Sequence, residues 1–156
     1  MSLGPRLDVA AAPPPRDADA RPSGPGGTRA LSLLDGFQVR TRGRVVGLPL
    51  SAQRLLALLA LHARPVQRLF VAGSLWLAAS EDRSNASLRT TLWRLRRLDR
   101  GLVQATPTHI ALGSNITIDL RDTSEAARRA ISGDLREGDA SMLCNTEELL
   151  PDWYDD

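Results

Sequence analysis

The run from Glu81 to Arg100, EDRSNASLRTTLWRLRRLDR, decides how the rest of the chain is read. Glu81 and Asp82 stand where the positive end of a helix macrodipole favours acids, and Gly101 supplies a stop, so the spacing predicts a helix over about 81–99. At about 100° per residue, Leu88, Thr91, Leu92, Leu95 and Leu98 fall on one face, which is therefore core. The opposite arc collects Arg83, Ala86, Thr90, Arg94, Arg97 and Arg100, with Ser87 and Arg89 on its flanks. Small residues near the start and forked bases further along suit insertion into a major groove. There a guanidinium can meet guanine O6 and N7 while a hydroxyl meets a base or a phosphate. A solvated Arg-rich face draws the same wheel and stands beside this reading as the plainer one. Trp93 lies near the exposed arc, where a solvated indole is wasteful, so it is expected to pack on a following hairpin or on the tail.

Working outward, Arg29 to Leu34 reads as a strand, Asp35-Gly36 as a turn, and Phe37 to Arg42 alternates apolar and polar as a half-buried strand does. A second turn at Gly43-Arg44 leads into Val45-Val46, which completes a small antiparallel meander. Ser51 can cap a helix over roughly 51–63 whose leucines recur on a broad stripe until Arg64-Pro65. A shorter second helix covers Gln67 to Trp76, and its Gly73 invites close approach of another helix. Beyond the third helix, Leu102 to Ala105 and His109 to Leu112 flank a Thr106-Pro107-Thr108 turn and make a hairpin, with Ile116 to Ile118 as a further short strand. Helical character resumes over 123–133. Sheet, three helices and then a hairpin is the order of a winged helix-turn-helix, an α+β fold whose hairpin wing flanks the reading helix. The expected division is a disordered Pro/Gly/Ala-rich arm over 1–28, a winged-helix domain over 29–119 and an acidic helical tail over 120–156.

Composition adds a constraint. All twenty basic residues of the 156 are Arg, and none is Lys. That suits planar, forked contacts to phosphates, bases and carboxylates, although GC-rich coding would give the same skew. The net charge of +2 hides a split: residues 1–121 carry seventeen Arg against eight acids, whereas 122–156 carry three Arg against ten. A basic body with an acidic tail is expected of a protein that meets a polyanion with one part and a protein with the other. Such a tail is also expected to fold back on the basic face. Six of the twenty Arg lie between 83 and 100, and four of those line the arc opposite the core.

The runs Leu31-Ser32-Leu33-Leu34-Asp35-Gly36-Phe37, Ala52-Gln53-Arg54-Leu55-Leu56-Ala57-Leu58-Leu59, Arg64-Pro65-Val66, Leu75-Trp76 and Ala86-Ser87-Leu88-Arg89, followed by Trp93-Arg94-Leu95-Arg96-Arg97, resemble in their order the Streptomyces antibiotic regulatory protein (SARP) family of transcription factors. The resemblance implies an OmpR-type winged helix that binds direct repeats in promoter DNA, as a homodimer, and helps to recruit RNA polymerase. In that comparison Arg89, Thr90, Arg94 and Arg97 match DNA-facing positions of the third helix; Arg83 and Ser87 join them from the wheel. The closing Leu149-Leu150-Pro151-Asp152-Trp153-Tyr154-Asp155-Asp156 is similar to the opening of the family's bacterial transcriptional activation domain, so the tail is expected to be a truncated start of that module.

Enzyme chemistry finds little support. His62 and His109 are far apart in sequence, the lone Cys144 has Glu147 and Glu148 near it in sequence rather than a base or cation that would make it a nucleophile, and Gly24-Pro25-Gly26-Gly27 lacks the Lys-Ser/Thr of a phosphate loop. A non-enzymatic protein with no cofactor and no metal site is expected, placed in the cytoplasm because one cysteine makes no disulfide and no window approaches the ~20 apolar residues of a membrane span. Two functions remain: a sequence-specific DNA-binding regulator, or a truncated accessory or interaction module that works through its acidic tail with little DNA affinity of its own.

Overall fold

A computed structural model of the chain describes residues 29–144 and 148–153. The expected arm over 1–28 lies outside them. The meander forms as β1 (Arg29–Ser32), β2 (Gln38–Thr41) and β3 (Arg44–Val46). Asp35 and Gly36 both take positive φ in the first turn. The second turn sits one residue earlier than the sequence suggested, on Arg42 (φ 51°) and Gly43 (φ 76°), with Thr41 paired to Arg44. Two consecutive left-handed residues give a tight hairpin the twist its strands need.

Helix α1 (Leu50–Leu61) begins ahead of Ser51, so that serine does not cap it. Pro49 stands at the cap position in extended conformation, and its carbonyl accepts from the amides of Ala52 (2.9 Å) and Gln53 (3.1 Å). At the other end Arg121 donates to the His62 carbonyl at 3.1 Å, giving an orphan helix-end acceptor a partner. The expected second helix loses its first residue to a strand. Val66 and Gln67 form a short strand, β4, paired with the wing, and α2 (Arg68–Leu75) follows. Nothing approaches Gly73 closely, so no helix uses the space it leaves. Helix α3 (Glu81–Leu98) has the expected extent. The buried Ser84 hydroxyl donates back to the carbonyls of Ser80 (3.0 Å) and Trp76 (3.3 Å), which fixes the entry of α3 against the end of α2.

The hairpin is β5 (Val103–Ala105) and β6 (His109–Leu112), and with β4 it makes a three-stranded sheet in the order β4-β6-β5. The strand β7 (Ile116–Ile118) leaves the wing altogether and pairs parallel with β1, so that the other sheet runs β3-β2-β1-β7. Where β1 ends, the Asp119 carboxylate takes over from the ladder. It accepts the amides of Leu33 (2.9 and 3.0 Å) and Leu34 (3.1 Å), while its own helix supplies Leu120 N at 2.7 Å. Helix α4 (Asp119–Ser132) therefore starts directly from β7, earlier than the apolar spacing indicated. Gly133, at φ 76°, closes it, and α5 (Asp139–Cys144) packs against it.

The two sheets and α1–α3 share one core, in which Leu33, Leu55, Leu88, Leu95, Leu102 and Ile110 are fully enclosed. The described end of the tail returns to that body. Asp35 N donates to Glu148 O (2.9 Å), Leu150 N donates to Leu33 O (2.8 Å), and Trp153 stacks on Phe37 with ring centroids 5.9 Å apart. Among the described residues, the tail thus lies on the β1–β2 turn rather than on α3, contrary to the expectation from charge.

Candidate nucleic-acid interface

Helix α3 is held from one side. Leu88, Thr91, Leu92 and Leu95 are buried against α1, α2 and β5, as the wheel requires, and Thr91 satisfies its hydroxyl on the Ser87 carbonyl at 2.9 Å. Leu98, assigned to the same face, is 38% exposed because it sits on the last turn, where the chain bends away through Asp99. Opposite the core, Arg83, Arg89, Thr90, Arg94 and Arg97 are all exposed and Ser87 is half-buried. The arc therefore presents several guanidinium groups from one rigid scaffold. Thr90 donates its hydroxyl to the Ala86 carbonyl at 3.0 Å, so outward it offers a methyl group and lone pairs.

Both ends of α3 are braced. Beyond the helix, Asp99 accepts a forked pair of bonds from Arg29 (2.9 and 2.8 Å) and the amide of Gly101 (2.8 Å). The Arg29 guanidinium beside it holds the Asp99 carboxyl below the usual carboxylate range, outweighing the opposing effect of burial. The wing is tied in by two more Arg: Arg96 donates to Ala105 O (3.2 Å) and Arg68 to Thr106 O (3.4 Å). Its tip is closed by Thr106, whose amide donates to His109 O and whose hydroxyl oxygen accepts from His109 N, each at 2.9 Å. Wing and α3 thus stand side by side as one unit.

Trp93 is not among the hydrophobic side chains packed against the core; it is 57% exposed, and the Cζ of Arg97 lies 5.0 Å from the centre of its ring. The two residues are one helical turn apart, so the nearest cation meets the indole before any more distant element does. Sequence spacing placed Trp93 near the arc, and the contact with Arg97 lies along the helix itself rather than with the hairpin or the tail. The bracing by Arg29, Arg68 and Arg96 was not legible, since each contact joins residues whose separation follows no local period.

The histidines stay apart. His62 donates to Leu58 O (2.8 Å) at the end of α1 beside Phe70, and His109 lies in the wing against Thr108. Cys144 is exposed. Among the described residues, no three His, Cys, Asp or Glu side chains come together to hold a metal ion, and no helix is long and apolar enough to cross a membrane.

Neither a protein-family model nor a curated protein matches this sequence. Among solved structures the fold is similar to that of Mycobacterium tuberculosis EmbR, determined in complex with a low-affinity phosphopeptide, at a TM-score of 0.61 and 22% identity. The similarity covers 81% of this chain and 38% of that one, so the chain spans well under half the length of the protein it resembles. With the element order, the two sheets and the buried face of α3, that likeness gives the chain its fold, an α+β winged helix.

Proposed function

We propose that the chain is a sequence-specific DNA-binding transcriptional regulator of the SARP type, with α3 in the major groove of double-stranded promoter DNA. The observation that carries the reading is the exposed arc of α3, where Arg83, Arg89, Thr90, Arg94 and Arg97, flanked by Ser87, share a face opposite the one that buries Leu88, Thr91, Leu92 and Leu95. In this reading Arg94 and Arg97 form guanine forks, Arg83 and Arg89 meet phosphates, and Ser87 and Thr90 make the short contacts between them. Residues 29–119 are the DNA-binding domain and 120–156 begin an activation module, with two copies on a direct repeat, RNA polymerase as the protein partner and the cytoplasm as the setting. The competing reading, a tail that captures a partner, needs Trp153 available. Its stacking on Phe37 favours the DNA reading.

Titration of the protein against promoter and random duplexes at two salt concentrations tests the proposal. A slope in log affinity against log salt of about −0.9 per neutralised phosphate is expected, together with discrimination between duplexes. Equal weak binding to every fragment would overturn it.

A further inference from the structure

We infer that Trp93 and Arg97 form one reading unit in the major groove, in which the indole holds the guanidinium for a guanine and itself packs against the C5-methyl of a neighbouring thymine. The inference rests on the DNA-binding reading and adds to it a residue and a base preference. Three observations carry it. Trp93 projects from the middle of the exposed arc of α3, one turn after Arg89 and Thr90 and one turn before Arg97. It is 57% exposed although it is among the largest apolar side chains of the protein, which leaves its area available to a partner. The Arg97 guanidinium lies over its ring, 5.0 Å from the centre.

That last contact differs in kind from the other Arg contacts near α3. Arg29 directs two donors to the Asp99 carboxylate, and Arg96 directs one to the Ala105 carbonyl. A guanidinium over an aromatic face is held there without spending its N–H donors on an acceptor, so they stay available to a base edge. The contact thus restricts the long Arg97 side chain in advance, lowering the entropy cost of placing its fork on guanine O6 and N7. The indole then needs an apolar partner. Among the base-edge groups of the major groove, the thymine methyl is the one that offers it.

The experiment selects tight-binding duplexes from a random-sequence library with the wild-type chain. It then replaces each thymine in turn by deoxyuridine, which lacks only the methyl group, and measures wild type, Trp93→Ala, Trp93→Phe and Arg97→Ala. Because Trp93 is exposed, thermal melting of its variants is expected to match wild type. Trp93→Ala should weaken binding by about fivefold or more without changing the salt slope, and Trp93→Phe should recover part of the loss. Arg97→Ala should lower affinity as well and relax the preference for guanine at the position it reads. At least one thymine should be sensitive to loss of its methyl with wild type and insensitive with Trp93→Ala. Wild-type affinity in Trp93→Ala, or methyl sensitivity that persists unchanged in it, overturns the inference and leaves the DNA reading intact. A wild type that selects no duplex overturns both.

Discussion

Gly113 sits where the chain leaves the wing, and a Cβ built there would overlap the carbonyl oxygen of Gly101. Neither glycine needs a left-handed φ, so the constraint is the close approach of two backbones, secured by the bond from Gly113 N to Leu102 O at 2.9 Å. Gly113→Ala should destabilise the fold by about 1–3 kcal/mol, read as a fall in the urea midpoint at constant m-value. Leu95 is fully enclosed on the core side of α3, and Leu95→Ala should cost about 2–5 kcal/mol in the same measurement. Arg94 is exposed on the other side, so Arg94→Ala should leave stability within about 0.5 kcal/mol while costing roughly 1–3 kcal/mol of binding on a selected duplex. A loss below about 0.5 kcal/mol would mark Arg94 as merely solvated. At this scale the leucines of α3 were legible because burial imposes a helical period. The Gly101–Gly113 approach was not, since no period connects those positions.

The elements differ in how far local pattern reached. The meander, α1, α3 and the hairpin were readable from turn residues and periodicity. One short strand was not: Gln67 looked like the opening of a helix, yet with Val66 it pairs with the wing. Ile116 to Ile118 was readable as a strand, but its parallel pairing with β1 was not, since a partner is set by the strand that is met rather than by the residues themselves. The joint between α4 and α5 gives a test at this scale. Arg129 donates a forked pair to Asp139 (2.8 and 2.6 Å), and Arg136 N adds a third bond at 2.9 Å. The Arg129 guanidinium, helped by that amide, pulls the Asp139 carboxyl from its ordinary 3.8 down to about 2. A carboxyl whose pKa is lower folded than unfolded stabilises the fold fully above the unfolded value and loses that contribution as the pH falls through the folded one. Packing of α5 on α4 should therefore weaken between about pH 4 and pH 2, followed by amide exchange of α5, and Asp139→Asn should remove that dependence.

For the whole molecule, the charge split takes on a different meaning. The acidic segment was expected to cover the basic face, yet its described end docks on the β1–β2 turn through Leu150 and the Trp153–Phe37 stack. Backbone pairing and apolar contact place it there, and neither depends on net charge. Trp153→Ala should therefore lower the melting temperature, by an amount that includes about 0.5–1.5 kcal/mol for the ring pair, and leave DNA affinity unchanged at low salt. Increased affinity in that variant would restore the autoinhibitory reading. The central claim is that α3 occupies the major groove, and methylation of guanine N7 on a selected duplex tests it most directly, since N7 lies in that groove alone. A DNA-reading α3 predicts guanines protected at N7 by wild type, at least one of them exposed again with Arg94→Ala. Bound duplex with every N7 as reactive as in bare DNA would contradict it.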